Sequence, residues 1–271
     1  MKGEGIDLIC FKELAKEILF DFDLICRKHN IKYSIAYGTL LGAVRHKGYI
    51  PWDDDIDIMI TRDNYKKFLL VGVAELCENH KLLSVETEPE YASPLPKIID
   101  TRTVLHQLGH IQESVELGIY MDVFVLDPTP SSRFQRKFIY KNCDIRQRIW
   151  TFAECEPHKG ANPFFNMIRK VINKLRINKP VAHLMHHAAI RKRRTIDSYS
   201  NLMFCAYARE KNEIDNARLM DIVDYEFENH KVMGIRDFDW YLKRMYGNYM
   251  KLPPVEKRVT LHEYTVTFRN K

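Results

Sequence analysis

Four aspartates stand within five residues in the segment Pro51–Ile60, where they are followed by alternating isoleucines. If this segment runs into a strand, Asp53, Asp55 and Asp57 share one face and the isoleucines occupy the other. Carboxylates this close repel one another, and a divalent cation such as Mg²⁺ or Mn²⁺, which prefers oxygen ligands, relieves that repulsion. The pattern favours a metal site, and the alternative is a solvated acidic turn leading into an edge strand.

A glycine-hydroxyl pair lies about fifteen residues upstream of the aspartates. We predict that the strand Tyr33–Tyr37 ends at Gly38 and that Thr39 caps a short helix, Leu40–Val44. Glycine permits close approach of the backbone, and the free N–H groups at a helix start bind phosphate. Such turns are common, but a phosphate site beside a metal site is the arrangement that phosphoryl or nucleotidyl transfer requires.

A third carboxylate, Asp122, is the single charge within the apolar run Ile119–Leu126. Burying an unpaired charge is costly, so Asp122 needs a partner. That partner is either the predicted metal or a lysine or arginine. We expect Asp127, which precedes a proline, to cap the turn at the strand end.

The elements that position these residues are predicted from hydrophobic periodicity. We expect a mixture of helices and strands over the first half and mainly helices after residue 131. The predicted helices are Asp7–Asn30, Asn64–Asn79, Phe134–Phe152, Pro163–Arg176, Pro180–Arg194 and Asp237–Tyr246. The predicted strands are Tyr33–Tyr37, Ile56–Ile60, Leu82–Glu86, Lys97–Asp100 and Ile119–Leu126.

Composition excludes several classes of protein. Hydrophobic residues make up 45% of the 271 residues, too many for a disordered chain. We expect no secretory signal and no membrane-spanning helix, because no apolar run approaches the required length. The six cysteines form no zinc-type spacing, so we expect reduced core thiols in a cytoplasmic protein.

The sequence of these motifs resembles that of the LicD family. This family belongs to the nucleotidyltransferase-fold superfamily and is related to fukutin. The resemblance is carried by Gly38–Arg45, His46 and Pro51–Asp57. It continues at Lys97, Gly118–Asp122 and Tyr246–Pro254, with Arg258 and His262 beyond them, and so spans most of the chain. Residues 131–210 resemble the family least.

The resemblance implies an α+β fold with a nucleotidyltransferase-like mixed sheet flanked by helices, and with an appended basic helical region. Residues 1–130 would form the catalytic core. Residues 131–271 would form a mainly helical acceptor-binding region packed on that core, with a C-terminal segment that returns to the active site.

The resemblance also implies roles for single residues. Gly38 and Thr39 correspond to the phosphate turn, Asp55 and Asp57 to paired metal carboxylates, and Asp122 to the third ligand. Further candidates for substrate binding are Arg45, His46, Trp52, Asp53, Lys97, Arg258 and His262. For the cations and histidines, the alternatives are surface charges and structural roles. For Trp52, and for Tyr37 and Tyr49 as further rings that suit a choline cation, the alternative is packing.

LicD-like enzymes move phosphorylcholine from CDP-choline onto a sugar hydroxyl of a bacterial surface glycopolymer, of teichoic acid or lipopolysaccharide type, and release CMP. We therefore expect a Mg²⁺-dependent transferase. The alternatives are transfer of ribitol or glycerol phosphate from another CDP-linked donor, nucleotidyl transfer to RNA, and a catalytically inactive scaffold.

The net charge of +6 conceals a strong asymmetry along the chain. Residues 131–194 hold sixteen Lys and Arg against three acids, a net charge of +13. This block would face a lipid-linked anionic acceptor or the inner membrane leaflet, which predicts a cytoplasmic protein in peripheral contact with the membrane. The alternative is a set of solvated basic helix faces. Without an RNA-binding motif we expect no specific nucleic-acid partner.

Overall fold

The amphipathic pattern after Asp7 forms the long helix α1 (Leu8–Lys28). Asp7 caps this helix, because its Oδ1 accepts a hydrogen bond from the backbone N–H of Cys10 at 2.8 Å. The apolar face of α1, including Ile18 and Leu19, is fully buried and packs against the central sheet. The predicted helix is therefore confirmed, and it covers the sheet that positions the aspartates.

This computed structural model describes residues 5–111, 115–157, 162–192, 194–202, 211, 213–260 and 264–269. Within these ranges the helices after α1 are α2 (Tyr37–His46), α3 (Arg62–Lys67), α4 (Arg133–Glu154), α5 (Pro163–Lys174), α6 (Asn178–Ile190), α7 (Asn216–Met220) and α8 (Phe238–Tyr246). The strands are β1 (Tyr33–Ile35), β2 (Asp57–Thr61), β3 (His80–Leu83), β4 (Lys97–Asp100), β5 (Thr103–Gln107), β6 (Tyr120–Pro130), β7 (Thr195–Ser200), β8 (Ile214–Asp215), β9 (Ile222–Phe227), β10 (His230–Ile235) and β11 (Tyr264–Phe268).

The central sheet is mixed and has the strand order β1-β2-β6-β4-β3, with β7 paired to β6 and β8 paired to β7. Strands β2 and β6 run parallel, and the other described pairs in this sheet are antiparallel. All five residues of β2 are buried, as expected for a strand whose two faces are both covered. The predicted α+β class with a mixed sheet is confirmed.

The structure corrects the predicted boundaries around the glycine turn. Strand β1 ends at Ile35, and α2 begins at Tyr37 after Ala36, which provides no side-chain cap. Gly38 and Thr39 therefore lie in the first helical turn, and Thr39 is not the N-cap. The Thr39 hydroxyl instead accepts a hydrogen bond from a backbone N–H of β2, a tertiary contact that local sequence does not reveal.

The predicted helix Asn64–Asn79 is much shorter than expected. Helix α3 ends at Lys67 and passes into a π-helical turn, Phe68–Gly72, followed by a 3₁₀ turn, Val73–Glu75. The apolar side chains of this segment still pack inward from the wider π-helical turn, and Phe68 is buried in the core. The predicted element type is right at its start and wrong over its second half.

The predicted end of the strand at Asp127 is also wrong. Strand β6 continues to Pro130, because β7 pairs with its second half. Asp127 does not cap a turn. It is buried and accepts two hydrogen bonds from the guanidinium of Arg62, at 2.9 and 3.1 Å.

The segment after residue 131 contains the three predicted helices in its basic part, α4, α5 and α6, although α6 ends four residues early. A small core of Trp150, Ala182 and Met185 joins α4 to α6. The Trp150 indole donates a hydrogen bond to the carbonyl oxygen of Ala92 at 2.7 Å, which ties α4 to the preceding half of the chain. Strands β7 to β11, which we did not predict, also lie after residue 131.

None of the helices in the described residues combines the length and the hydropathy that crossing a bilayer requires. The five cysteines within these ranges are free thiols, as predicted. Cys26 and Cys143 are buried, whereas Cys77 is exposed and is not the core thiol that we expected. Cys205 lies outside the described residues.

Candidate active site

A tight turn places the aspartate cluster at the start of β2. The backbone N–H of Asp53 donates to the carbonyl oxygen of Ile50 at 2.9 Å and closes the turn around Pro51 and Trp52. Proline suits the second position of such a turn because its φ is fixed. Strand β2 begins only at Asp57, so Asp53 and Asp55 precede it and strand alternation does not place them on one face with Asp57.

Asp57 and Asp122 stand opposite each other, because β2 and β6 are neighbouring parallel strands in that register. Asp57 is 8% exposed. Burial raises the pKa of its carboxyl well above the ordinary value, and the charges of Asp55, Asp122 and Asp53 raise it further. The sequence prediction that these carboxylates crowd together therefore agrees with the electrostatics of the site.

Lys97 supplies a cation to this group. It lies opposite Asp122 on the antiparallel neighbour β4, and its Nζ donates to Asp122 Oδ1 at 2.5 Å. The same Nζ lies 3.5 Å from the ring centroid of Tyr120. Asp122 thus has the lysine partner that the sequence left open, and Lys97 contacts a carboxylate in this structure.

The three consecutive aspartates form a cluster beside the start of α2. One carboxylate oxygen each from Asp53, Asp54 and Asp55 lies within 4.8 Å of the others. A methyl group at Gly38 would meet Asp53 Oδ2 at 2.7 Å. Gly38 therefore leaves room for the carboxylate of Asp53 beside α2, although the position lies inside a helix rather than in a turn.

The hydroxyl of Thr39 connects α2 to the carboxylate pair. It accepts the hydrogen bond from the backbone N–H of Asp57 at 2.8 Å, and Thr39 is buried. This contact holds the first residue of β2 at a defined distance from the helix. Thr39 therefore positions Asp57, and we assign it that structural role.

A cationic patch lies at the other end of α2, where the C-terminal segment meets the turn. The Arg45 guanidinium donates to the carbonyl oxygen of Tyr249 at 2.8 Å and to His46 at 2.9 Å. Burial, and then the positive charge of Arg258, lower the pKa of Arg45. Arg258 lies over the ring of Trp52, with its Cζ 5.4 Å from the ring centroid.

The mutual repulsion between Arg45 and Arg258 would be relieved by an anion bound near both. His46 adds an imidazole ring whose neutral form is favoured, because burial and the charge of Arg45 lower its pKa. The C-terminal segment is held here by Thr260, whose hydroxyl donates to the carbonyl oxygen of Trp52 at 3.1 Å. His262 lies outside the described residues.

Sequence reasoning missed three residues that hold the aspartate turn. Asp54 is buried and accepts a hydrogen bond from the hydroxyl of Tyr264 on β11. On the other side, Lys12 of α1 donates to the carbonyl oxygen of Pro51 at 3.1 Å. The contacts join positions more than thirty residues apart, so no local pattern could have indicated them.

The other two rings considered for a cation ligand are structural. Tyr37 is 5% exposed and packs edge-on against Phe124, with ring centroids 4.8 Å apart. Tyr49 donates its hydroxyl to the backbone of Lys12 at 3.0 Å and packs against Phe227. Trp52, which is half-buried, is the ring of the three that stands beside the cationic patch.

A divalent cation suits the donor set around Asp57. The oxygens are all carboxylate, the hard ligands that Mg²⁺ and Mn²⁺ prefer, and their crowding carries a repulsion that a cation would remove. A second group with ligand spacing, Glu17, His80 and Asp100, fits a metal less well. There, Arg102 already donates to Glu17 at 2.6 Å and to Asp100, so both carboxylates have a cationic partner.

Comparisons with known proteins find relatives that cover these residues. The family model described as "LicD/FKTN/FKRP, nucleotidyltransferase domain" matches residues 30–144, which include all of the carboxylates above that line the turn, β2 and β6. Lipopolysaccharide cholinephosphotransferase LicD of Haemophilus influenzae is 30% identical over 255 residues, which cover 90% of this chain and 92% of that protein. The chain belongs to the LicD family.

The resemblance to LicD seen in the sequence is thereby confirmed. Two uncharacterized proteins are also similar in part. One, from Rickettsia prowazekii, is 52% identical over 154 residues, which cover 57% of this chain and 52% of that protein. The other, from Rickettsia typhi, is 52% identical over 48 residues, 18% of this chain and 16% of that protein.

Proposed function

We propose that this LicD-family chain transfers phosphorylcholine from CDP-choline to a sugar hydroxyl of a bacterial surface glycopolymer precursor and releases CMP. The acceptor would be of lipopolysaccharide or teichoic acid type. The observation that carries the proposal is the Asp57–Asp122 pair beside the aspartate turn, in a chain similar over nearly its full length to a lipopolysaccharide cholinephosphotransferase. We further propose that residues 1–130 form a nucleotidyltransferase-like catalytic core and that residues 131–271 bind the acceptor.

In the proposed mechanism, Asp55, Asp57 and Asp122 would hold Mg²⁺ or Mn²⁺. When bound, the cation neutralises pyrophosphate charge and lowers the pKa of the attacking hydroxyl. Asp53 supports the ligands from the turn. Thr39 keeps Asp57 in place through its backbone N–H.

The protein itself orients the donor and takes up the proton. Arg45 and Arg258 bind pyrophosphate oxygens, because an anion between them relieves the repulsion of their two positive charges. Asp122 accepts the proton of the sugar hydroxyl, while Lys97 holds its Oδ1. The hydroxyl oxygen forms a bond to the choline-bearing phosphorus, the bond from that phosphorus to the bridging oxygen breaks, and CMP leaves.

Recognition of the choline group is assigned to Trp52, because quaternary ammonium groups bind aromatic faces. The guanidinium of Arg258 occupies a face of this ring in the structure, so choline binding would require Arg258 to move onto the pyrophosphate. His46 lies at the edge of the same ring, with ring centroids 6.3 Å apart. We propose that His46 and His262 hydrogen-bond the substrate.

The test is CMP release with Mg²⁺, a lipid-linked glycan acceptor and a panel of donors. We expect release with CDP-choline and much slower release with CDP-ribitol or CDP-glycerol. Faster CMP release with either of those two donors would mean that the transferred group carries that alditol instead of choline. Acceptor-dependent release that persists at the wild-type rate in Asp57→Asn would contradict the assigned site. Asp221→Asn, which removes an exposed carboxylate paired with Arg236, is the matched control.

A further inference from the structure

Helix α5 is oriented with its apolar side chains toward solvent. No residue of this helix is buried. Five large apolar side chains on it or at its end are more than half exposed: Phe164 at 60%, Phe165 at 54%, Met167 at 57%, Val171 at 54% and Leu175 at 64%. A helix on a water-soluble surface ordinarily buries such residues.

The apolar residues of α5 form one continuous face. At 100° per residue, Phe164, Met167, Val171 and Leu175 fall within an arc of about 80°, and Phe165 extends it to about 160°. Lys170 and Lys174, both exposed, flank one edge of that arc. Apolar face and basic border are the two parts of an interfacial membrane helix.

The opposite, polar face of α5 packs on the protein, which fixes its orientation. Asn173 donates from its Nδ2 to the carbonyl oxygen of Cys155 at 3.0 Å. The Arg169 guanidinium lies over the ring of Phe152, with its Cζ 4.5 Å from the centroid. The apolar face is therefore held outward by contacts of the polar face with the end of α4.

Helix α4 repeats the pattern. Four apolar side chains on one narrow stripe of this helix are exposed: Phe134 at 80%, Phe138 at 62%, Ile145 at 47% and Ile149 at 45%. Lys141 and Arg148 border the stripe at helical spacing. Its opposite side carries the buried residues Cys143 and Trp150.

We propose that α5 binds in the plane of an anionic lipid bilayer, with Phe164, Met167, Val171 and Leu175 below the headgroups and with Lys170 and Lys174 on the lipid phosphates. A helix of 12 residues is too short to span a bilayer, so it lies along the surface. Charge selects this occupant over a second copy of the chain, because pairing of two copies through α5 would bring two regions of like charge together. The net charge of +13 over residues 131–194 acts in the same direction.

The first experiment is flotation of the purified full chain with vesicles, without donor or acceptor, so its result is independent of the proposed transferase activity. We expect binding to phosphatidylcholine vesicles that contain about one third phosphatidylglycerol, and weaker binding at high salt. Phe164→Asp combined with Val171→Asp should lower the partition coefficient by at least about tenfold. Leu70→Asp, at a site 83% exposed near α3, is the matched control and should bind like the wild type.

The charge border is tested separately. Lys170→Glu combined with Lys174→Glu should lower binding to the anionic vesicles by more than about tenfold. Lys66→Glu, an exposed lysine on α3, should have little effect. All of these sites are on the surface, and unchanged circular dichroism would show that the variants fold.

A gain of signal provides a second measurement. Phe164→Trp should show a blue-shifted emission with anionic vesicles and quenching by brominated lipid chains, whereas Leu70→Trp should show neither. The proposal is overturned if the wild type fails to float with anionic vesicles or if the double aspartate variant floats equally well. A concentration-dependent dimer that Phe164→Asp dissociates, without vesicle binding, would assign this face to a second copy instead.

Discussion

Asp57 and Asp122 face each other across the parallel strands β2 and β6, yet only Asp122 accepts a hydrogen bond from Lys97 in this structure. The charge of Lys97 lowers the pKa of Asp57, but less than burial and the neighbouring carboxylates raise it. The negative charge of Asp57 therefore destabilises the folded protein, whereas that of Asp122 is stabilised by Lys97. This difference gives opposite expectations for their removal.

Asp57→Asn should abolish CMP release while raising the thermal midpoint of the metal-free protein. The substitution removes a buried charge from among like charges, and we expect a gain of about 1 kcal/mol in the free energy of unfolding. Thermal unfolding in a chelator measures it. The added stability from Mg²⁺ should also be lost. A variant that is less stable than the wild type in chelator would show that the carboxylate is not under repulsion.

Asp122→Asn should lose both activity and stability. It removes the carboxylate that accepts the 2.5 Å hydrogen bond from the ammonium of Lys97, a residue that is 9% exposed, at a cost of about 3 kcal/mol. Adding Lys97→Met in the same chain should recover much of the stability but none of the activity. Denaturant unfolding of the single and double variants measures the coupling, and additive effects would mean that the two residues do not interact.

The Thr39 hydroxyl should matter for the position of Asp57 and not for the helix start. Thr39→Val leaves the buried backbone N–H of Asp57 without its acceptor, which costs about 1–3 kcal/mol and should lower kcat. Thr39→Ser keeps the hydroxyl and should retain most of the activity. Equal losses in the two variants would indicate that the methyl group, rather than the hydroxyl, is needed.

The parts of the fold that the sequence predicts are those with local signals. The apolar spacing of α1 repeats over five turns, and the isoleucines at 56, 58 and 60 alternate strictly, so both elements are found where expected. The crowding of the aspartates is likewise visible in the sequence, because their repulsion depends on spacing alone. The LicD pattern identifies the family for the same reason.

The parts that it could not predict depend on contacts between distant segments. Strands β8 and β11 are short and partly exposed, and their partners lie elsewhere in the chain, so they show little periodicity. The bond between Asp54 and Tyr264 joins residues 210 positions apart. Lys97 was expected to bind substrate, and only the register of β4 against β6 reveals its contact with Asp122.

The cationic patch should govern donor affinity. Arg258→Gln should raise KM for the CDP-linked donor by about tenfold or more with a smaller change in kcat, because an arginine on a phosphate oxygen contributes to binding before the reaction. Arg236→Gln, which removes an arginine paired with Asp221 on the surface, is the control. An unchanged KM in Arg258→Gln would leave this arginine a structural role on Trp52.

Protonation of His186 should destabilise the protein in acid. Burial, followed by the charge of Arg62, lowers the pKa of this histidine from 6.5 to about 4, so the folded state holds the ring neutral. Glu86 Oε1 lies 3.4 Å from its Nδ1 but also pairs with Arg62. Between pH 6.5 and about 4 the unfolded chain binds a proton that the folded chain does not, so stability falls as pH falls.

The contribution of His186 is thus fully present above pH 6.5 and is lost progressively toward pH 4. We expect the loss to reach about 1–2 kcal/mol, since the ring keeps some access to water and solvent weakens such effects. Denaturant unfolding of the wild type and His186→Gln at several pH values between 7.5 and 4 measures it, and the glutamine variant should show the shallower dependence. His230→Gln, at an exposed histidine on β10, is the control, and its profile should follow the wild type. Parallel profiles for the wild type and His186→Gln would assign the acid sensitivity to other groups.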